Sequence, residues 1–466
     1  MKHRNIIKLL FCLVMVLGMN LSCSKKLDLE PRQSIDATTA IQTPEDVEAA
    51  VIGAYSVMAG GALFGTNLLM VPETQASYYP NSELYASWRG TFTGQQQIGR
   101  KTMNRNNGEA ARVWTAAYLA INTANIVMDN LGVVTDADQK SQFEGEALFV
   151  RGVMHFELVR YFGLPWGATV NNDQPGVVIK TKVSKTEADA AEKLPRNKVS
   201  EVYAQVISDL TAAASKLPDD NGTRADKFTA LAFLAKVYLQ QSNYLKARDA
   251  ADQVIKSDKY KMNASVRAVF DNKNTNESIF EIQQNDQNNA GTANDGMATF
   301  FASLPGIGRG DVRISSSFVN SYNSNDLRRI EWFYIGTGAR PGNWYCGKWK
   351  SFSQNLPVVR VAEMYLIRAE TNIRLGTTVG DTPENDLAKI RNPIRTNLPV
   401  ITNPTLTQVL AERGFELAFE GFKIHEIKRL KQSFSNYTWN DNILVFPIPQ
   451  IEVDATSGIL IQNPGY

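Results

Sequence analysis

The chain has 466 residues, 43% hydrophobic and 21% charged, which is enough apolar material for a large core and too little charge for a disordered polymer. Lys and Arg number 49 against 47 for Asp and Glu, so no basic excess marks a nucleic-acid binder. Three cysteines and three histidines leave little for a disulfide scaffold or a zinc array, and no apolar run approaches the ~20 residues of a membrane-crossing helix.

Lys2, His3, Arg4 and Lys8 precede an apolar run from Leu9 to Met19, the order of a secretory signal. The run ends in Leu21-Ser22-Cys23, which looks like the lipobox of bacterial lipoproteins. The expected organisation is a signal peptide over 1–22, a lipidated tether over 23–42 anchored through Cys23, and a single helical domain over 43–466. Cleavage would remove Lys2, Arg4, Lys8 and Cys12 and leave Cys346 as the remaining free thiol, so packing must hold the fold.

The elements read mostly as helices. Thr43-Pro44-Glu45 opens one through Met58, with a threonine cap and proline in the first turn. Glu109 to Leu131 and Gln139 to Phe162 follow, the second stopped by Gly163 and Pro165. Lys198 to Leu217 ends before Pro218, and Asp226 to Gln241 pairs with Tyr244 to Ser257. Val359 to Leu375 stops at Gly376, and Leu406 to Gln432 reads as one long helical stretch.

In the paired helices, Ala235 and Tyr238 are followed by Ala247, Ala251 and Val254, small residues that let two helices approach. The spacing resembles a tetratricopeptide unit and fits a generic helical hairpin equally well. Ala362, Tyr365 and Ala369 repeat the small-aromatic-small pattern. Two segments break the helical rhythm: 71–107, with Tyr78, Tyr79, Asn81, Tyr85 and Trp88, and 259–356, with Asn285 to Asn289, Gly306 to Gly310 and Trp344-Tyr345. The fold class expected is an all-α dominated, tetratricopeptide-like scaffold carrying long irregular loop insertions.

From end to end the chain resembles the SusD/RagB family of outer-membrane nutrient-binding lipoproteins. Cys23 with Leu27-Asp28 and Pro31, then Gly53-Ala54-Tyr55, are similar to its start. Glu146-Ala147-Leu148-Phe149-Val150-Arg151-Gly152 through Tyr161-Phe162-Gly163 and Pro165 resembles its central helix. Arg360-Val361-Ala362-Glu363 through Arg368-Ala369-Glu370, Glu412-Arg413, Glu416-Leu417, Phe419-Glu420-Gly421 and Arg429 match further signatures. Pro447-Ile448-Pro449, Glu452 and Gln462-Asn463-Pro464-Gly465-Tyr466 resemble its terminal segment. The resemblance implies four tetratricopeptide-like units, loops forming a ligand face, and a partner SusC-like TonB-dependent transporter in the outer membrane. It implies capture of oligosaccharides or, in a RagB-like branch, peptides, by a surface lipoprotein with no enzymatic turnover.

The residues themselves offer little catalysis. Glu416 and Glu420 are four apart on a predicted helix and read as ion pairs with Arg413 and Lys423 rather than as a glycosidase pair, which comes from separate elements across a cleft. Glu363 with Arg360 and Glu370 with Arg374 are read the same way. His155 and His425 are expected in packing, and Gly306, Gly308 and Gly310 form a flexible loop rather than a phosphate cradle. No cofactor is expected; the Asn285 to Asn289 cluster could supply oxygens to a structural calcium but misses the EF-hand spacing.

Sugar rings present a C–H face for flat side chains and a hydroxyl rim for amides and guanidinium groups. Tyr79, Asn81, Tyr85 and Trp88 in the first loop region, and Asn288, Phe300, Arg309 and Trp344 in the second, meet those needs. Trp114, within a helical run, is assigned to the core. Two rivals remain: a surface glycoside hydrolase, and a helical scaffold that binds only protein partners.

Overall fold

The computed structural model describes residues 41–77, 84–190, 192–291 and 294–466. The predicted signal, Cys23 and the tether to residue 40 lie outside them, as do Tyr79 and Asn81. Residues 43–466 form one compact unit.

α1 (Pro44–Met58) starts in a reciprocal capping box between Thr43 and Asp46, with Pro44 in the first turn. α2 (Asn67–Gln75) runs into the first loop region and α3 (Thr93–Arg100) lies within it. α4 (Gly108–Asp129), α5 (Ala137–Phe162), α6 (Val199–Lys216), α7 (Lys227–Gln240) and α8 (Tyr244–Lys256) form the body. Side chains of Asn107, Asp136, Asp226 and Asn243 accept the first free amides of α4, α5, α7 and α8. Downstream come the short α9 (Met297–Phe301), then α10 (Val361–Leu375), α11 (Pro383–Ile390), α12 (Leu406–Glu416) and α13 (Lys423–Arg429).

Neighbours in sequence pack in series. α1 packs on α4, α4 on α5, α5 on α6, α6 on α7 and α7 on α8; α8 then meets α10, which carries α11 and α12. This all-α dominated stack is the expected scaffold. Ala235, Ala247, Ala251 and Val254 are fully buried between α7 and α8, so the small residues do set the approach of that pair. α5 is buried on all sides from Gly145 to Val159, and Gly152 leaves room for Leu210 and Asp209 of α6. Beside it Arg151 donates to both oxygens of Asp209, at 2.8 and 2.6 Å.

The loop regions hold more regular structure than the sequence showed. β1 (Ala86–Trp88), β3 (Val312–Ile314), β5 (Trp344–Cys346) and β4 (Phe333–Ile335) form an antiparallel sheet in that order, with Ser87 opposite Arg313 and Ile314 opposite Trp344. β2 (Ser278–Ile282) pairs with β6 (Leu356–Arg360), and β6 runs straight into α10, so the predicted helix from Val359 begins two residues late. β1, β2 and β6 are buried at every position and β3, β4 and β5 span three residues each, so alternation does not show. Gly308 is no flexible hinge: its φ is +77°, a side chain there would strike the Ala302 carbonyl, and the Arg309 and Gly310 amides donate to Thr299 O and Ala302 O at 2.7 Å.

The long stretch from Leu406 to Gln432 is not one helix. Phe419 (φ +65°) and Gly421 (φ +87°) break it, and a Cβ at Gly421 would stand 2.8 Å from the Leu68 carbonyl oxygen of α2. Glu73 of α2 fills the gap by accepting the Phe422 amide at 2.6 Å and the Phe419 amide at 3.2 Å, so the break is satisfied from outside.

That break builds a buried charge network whose pairing differs from the local one expected. Glu416 accepts from Arg395 at 2.7 and 3.0 Å, from Arg360 at 3.1 Å and from Arg328 at 3.2 Å, and makes no ion pair with Arg413. Glu420 takes Arg360 at 2.8 Å and Lys348 at 2.5 Å instead of Lys423. Arg360 also donates to Glu277, and Lys348 lies 3.8 Å over the Trp332 ring. Glu363 pairs with Arg413 (2.8 Å) rather than Arg360, while Glu370 holds both the expected Arg374 and Arg429. Burial alone would raise the Glu416 carboxyl, but Arg395, Arg360 and Arg328 outweigh it and hold it well below the usual range. The predicted local pairing failed because Arg328, Arg360 and Arg395 reach Glu416 from other elements, and the turn at Phe419 takes Glu420 off the helix.

The residues after Phe446 close the body. Asn463 donates to Phe162 O (2.8 Å) and Phe446 O (2.7 Å), Gln462 and Ile448 exchange bonds at 2.7 Å, and Arg196 reaches Phe162 O and Asn463 together.

Candidate functional site

The four-stranded sheet carries an aromatic cluster where the two loop regions meet. Trp88 closes β1, Phe92 follows it in the turn into α3, and Phe300 comes from α9. Ring centroids lie 5.2 Å apart for Trp88–Phe300, 5.8 Å for Phe92–Phe300 and 6.2 Å for Trp88–Phe92. The Arg309 guanidinium caps Phe92 at 4.7 Å and reaches Asp311 at 3.0 Å. Arg340 reaches the other Asp311 oxygen at 3.2 Å, donates to Arg309 O at 3.2 Å, and is itself bonded through its carbonyl by the Tyr345 hydroxyl. Burial raises the Asp311 carboxyl, against the pull of Arg309 and Arg340.

The eight sequence candidates separate into groups. Trp88, Phe300 and Arg309 come together. Phe300 is 1% exposed and Trp88 9%, so they form the floor of the cluster, while Phe92 and Arg309 are its accessible part. Trp344, half-buried in β5, stands on the same sheet. Tyr85 is a core residue: it stacks on Phe419 at 5.0 Å, packs edge-on to Phe318 and donates its hydroxyl to buried Glu73. Sequence composition could not separate it from Trp88, three positions on. Tyr79 and Asn81 lie outside the described residues. Phe92, Arg340 and Asp311 were missed; Arg89-Gly90-Thr91-Phe92 after a strand and Gly338-Ala339-Arg340-Pro341 before one were the signals available.

Asn288 is exposed on a second feature, an open cavity of about 570 Å³ between α1 and β2. Tyr55, Phe280, Gln283, Gln284 and Asn289 share its wall. Its one carboxylate, Glu281, accepts the Asn274 amide at 2.9 Å and Asn355 at 2.7 Å. The neighbouring Asn285 caps a turn by accepting the Gln287 and Asn288 amides, and Asn289 donates back to Asn285 O. No group of three His, Cys, Asp or Glu able to hold a metal occurs among the described residues.

The reactive side chains elsewhere are structural. His155 accepts the Lys180 amide at Nε2 and meets Arg151 O at Nδ1, and burial lowers it to about 4. His425 packs edge-on against Tyr161 at 5.5 Å. Burial pushes the Cys346 thiol up to about 12, so no thiolate is on offer. Trp114 packs against Phe162 at 4.9 Å in the core.

Comparison with known proteins adds context to this geometry. A SusD-like family profile described as "Starch-binding associating with outer membrane" matches residues 26–239, and the SusD family profile matches residues 347–445. A SusD-like protein P2 from Formosa agariphila is 26% identical, over 97% of this chain and 98% of its own. A SusD superfamily structure from Bacteroides thetaiotaomicron superimposes with a TM-score of 0.80 at 24% identity, covering 91% of this chain and 100% of its own. Surface glycan-binding protein A from Bacteroides uniformis gives 0.74 at 20% identity, covering 90% and 99%.

Proposed function

This chain belongs to the SusD/RagB family, and on that premise we propose that it captures oligosaccharides on its loop face and passes them unaltered to a SusC-like TonB-dependent transporter. The observation that carries this reading is the Trp88–Phe92–Phe300 platform under Arg309. Flat rings beside a planar donor fork suit a sugar's C–H face and oxygen rim. The acylated Cys23 would hold the body at the outer membrane, and no helix among the described residues is long and apolar enough to cross one.

The carboxylates support binding rather than hydrolysis. Glu416, Glu420, Glu363 and Glu370 are occupied by buried cations, and the Asn288 cavity holds a single acid. A glycosidase needs two across a cleft, about 5 to 9.5 Å apart. The test is calorimetry of the detergent-purified full chain against a glycan panel, with chromatography of the sugars afterwards. Binding with Kd in the micromolar to millimolar range and unchanged sugars is expected, equivalent to about −4 to −8 kcal/mol. Reproducible cleavage, or no co-purification with a barrel partner from native membranes, would count against it.

A further inference from the structure

We propose that this site selects oligosaccharides bearing carboxylate or sulfate groups, a deepening that rests on the glycan-binding reading above. Arg309 and Arg340 both pair with Asp311, and Arg340 and Arg313 lie beside Tyr345, so three guanidinium groups meet one carboxylate among the described residues at the edge of the aromatic platform. Arg309 and Arg340 each take one oxygen of Asp311, so that acid is already shared between two cations. Arg313, opposite Ser87 in the sheet register, adds a third charge with no ion pair among the described residues.

Arg89 and Arg100 extend the positive field from the neighbouring turn and helix. Arg89 donates to Ser87 Oγ at 3.1 Å, and its guanidinium is held below its ordinary proton affinity by burial, by Arg313 and by Arg100. Such crowding of like charge costs stability and is relieved when an anion arrives.

The hydrogen-bonding inventory points the same way. Arginine donates and never accepts, and the indole N–H only donates. Two of these donors, Trp88 Nε1 and Arg313 Nε, are shielded from solvent and have no partner among the described residues. A neutral sugar hydroxyl asks for acceptors as well as donors, and the carboxylate described here, Asp311, already faces Arg309 and Arg340, although its buried Oδ2 accepts no hydrogen bond among the described residues. Carboxylate and sulfate groups are acceptor-only and match a donor-rich surface, where the remaining guanidinium N–H groups can pair with their oxygens.

The experiment is calorimetry of the detergent-purified full chain with four probes: oligogalacturonate and a sulfated galactan oligosaccharide, each beside its carboxyl-reduced or desulfated counterpart. At least one charged probe should bind about tenfold tighter than its neutral counterpart, and the better of the two identifies the anion. Raising NaCl from about 0.05 to about 0.5 M should close that gap, since Debye screening shortens several-fold over this range. Arg313→Gln and the exposed Arg100→Ala should each lower the preference, with Arg100→Ala free of folding effects. A neutral counterpart that binds as well as its charged form overturns the anion proposal and leaves glycan binding standing. Failure of all four saccharides overturns both readings. Tighter binding of a poly-glutamate peptide than of any saccharide overturns the proposal in favour of acidic peptides.

Discussion

The network around Glu416 and the cluster around Phe92 are both built from arginines, acids and aromatics, yet they are opposites. In the first, Arg328, Arg360, Arg395 and Lys348 are sealed from water and face Glu277, Glu412, Glu416, Glu420 and Asp326 in near balance. In the second, Arg309 and Arg340 share one carboxylate, Arg313 has no ion pair among the described residues, and all three remain partly accessible. Balanced charge out of solvent fixes a fold, because removing one member leaves its partners uncompensated. Unbalanced charge at the surface leaves binding capacity unspent. The residues that carry the family resemblance, Arg360, Glu363, Glu370, Glu412 and Glu416, all belong to the balanced, buried kind.

The largest effect is expected in the core. Glu416→Gln should destabilise the protein by about 3–5 kcal/mol in urea denaturation, because three guanidinium groups lose their shared partner. A loss below about 1 kcal/mol would erase the contrast between the two regions.

Next is a pH effect inside the scaffold. His155 is held at about 4 by burial, against an ordinary value near 6.5, so the unfolded chain binds the extra proton between those values. Stability should therefore fall as pH drops from about 6.5 to about 4, by about 3 kcal/mol from this residue, and level off below. His155→Gln should flatten that part of the thermal-melting profile relative to the parent.

At the loop face, Phe92→Ala and Arg309→Ala should each weaken oligosaccharide binding by about 1–2 kcal/mol while moving stability by less than about 1 kcal/mol. A large drop in melting temperature with unchanged affinity would reverse the assignment of the two regions. Smallest is Asn288→Ala, expected to change affinity by a few tenths of a kcal/mol unless the ligand spans into the Tyr55–Phe280 cavity.

Most helices were legible because caps and stops are local: Thr43 and Asp226 announce starts, and Gly163, Pro218 and Gly376 announce ends. The Asp136 cap went unread, and the predicted helix begins at Gln139 instead of Ala137. The break at Phe419 was not legible, since it depends on Glu73, 346 residues away, accepting amides that a helix would otherwise have used. Charge partners failed for the same reason: spacing of four predicts a neighbour on one helix, whereas Arg360 and Arg395 arrive from other elements. In the site, aromatic residues in a loop region announced a platform but not its orientation. Tyr85 turned inward because Phe419 and Glu73 were there to receive it, and Trp88 joined Phe300 because β1 pairs with β3.

The Asn463 latch has a consequence for biogenesis. Its side chain satisfies the carbonyl of Phe162, a residue translated 301 positions earlier. During vectorial synthesis Arg196 can reach that helix end early, but the second donor, and the partner of Arg196 itself, arrive only when Asn463 has been made. Products that stop before Asn463 thus keep an open seam beside Phe446, a mark by which proteases tell them from chains that carry the latch.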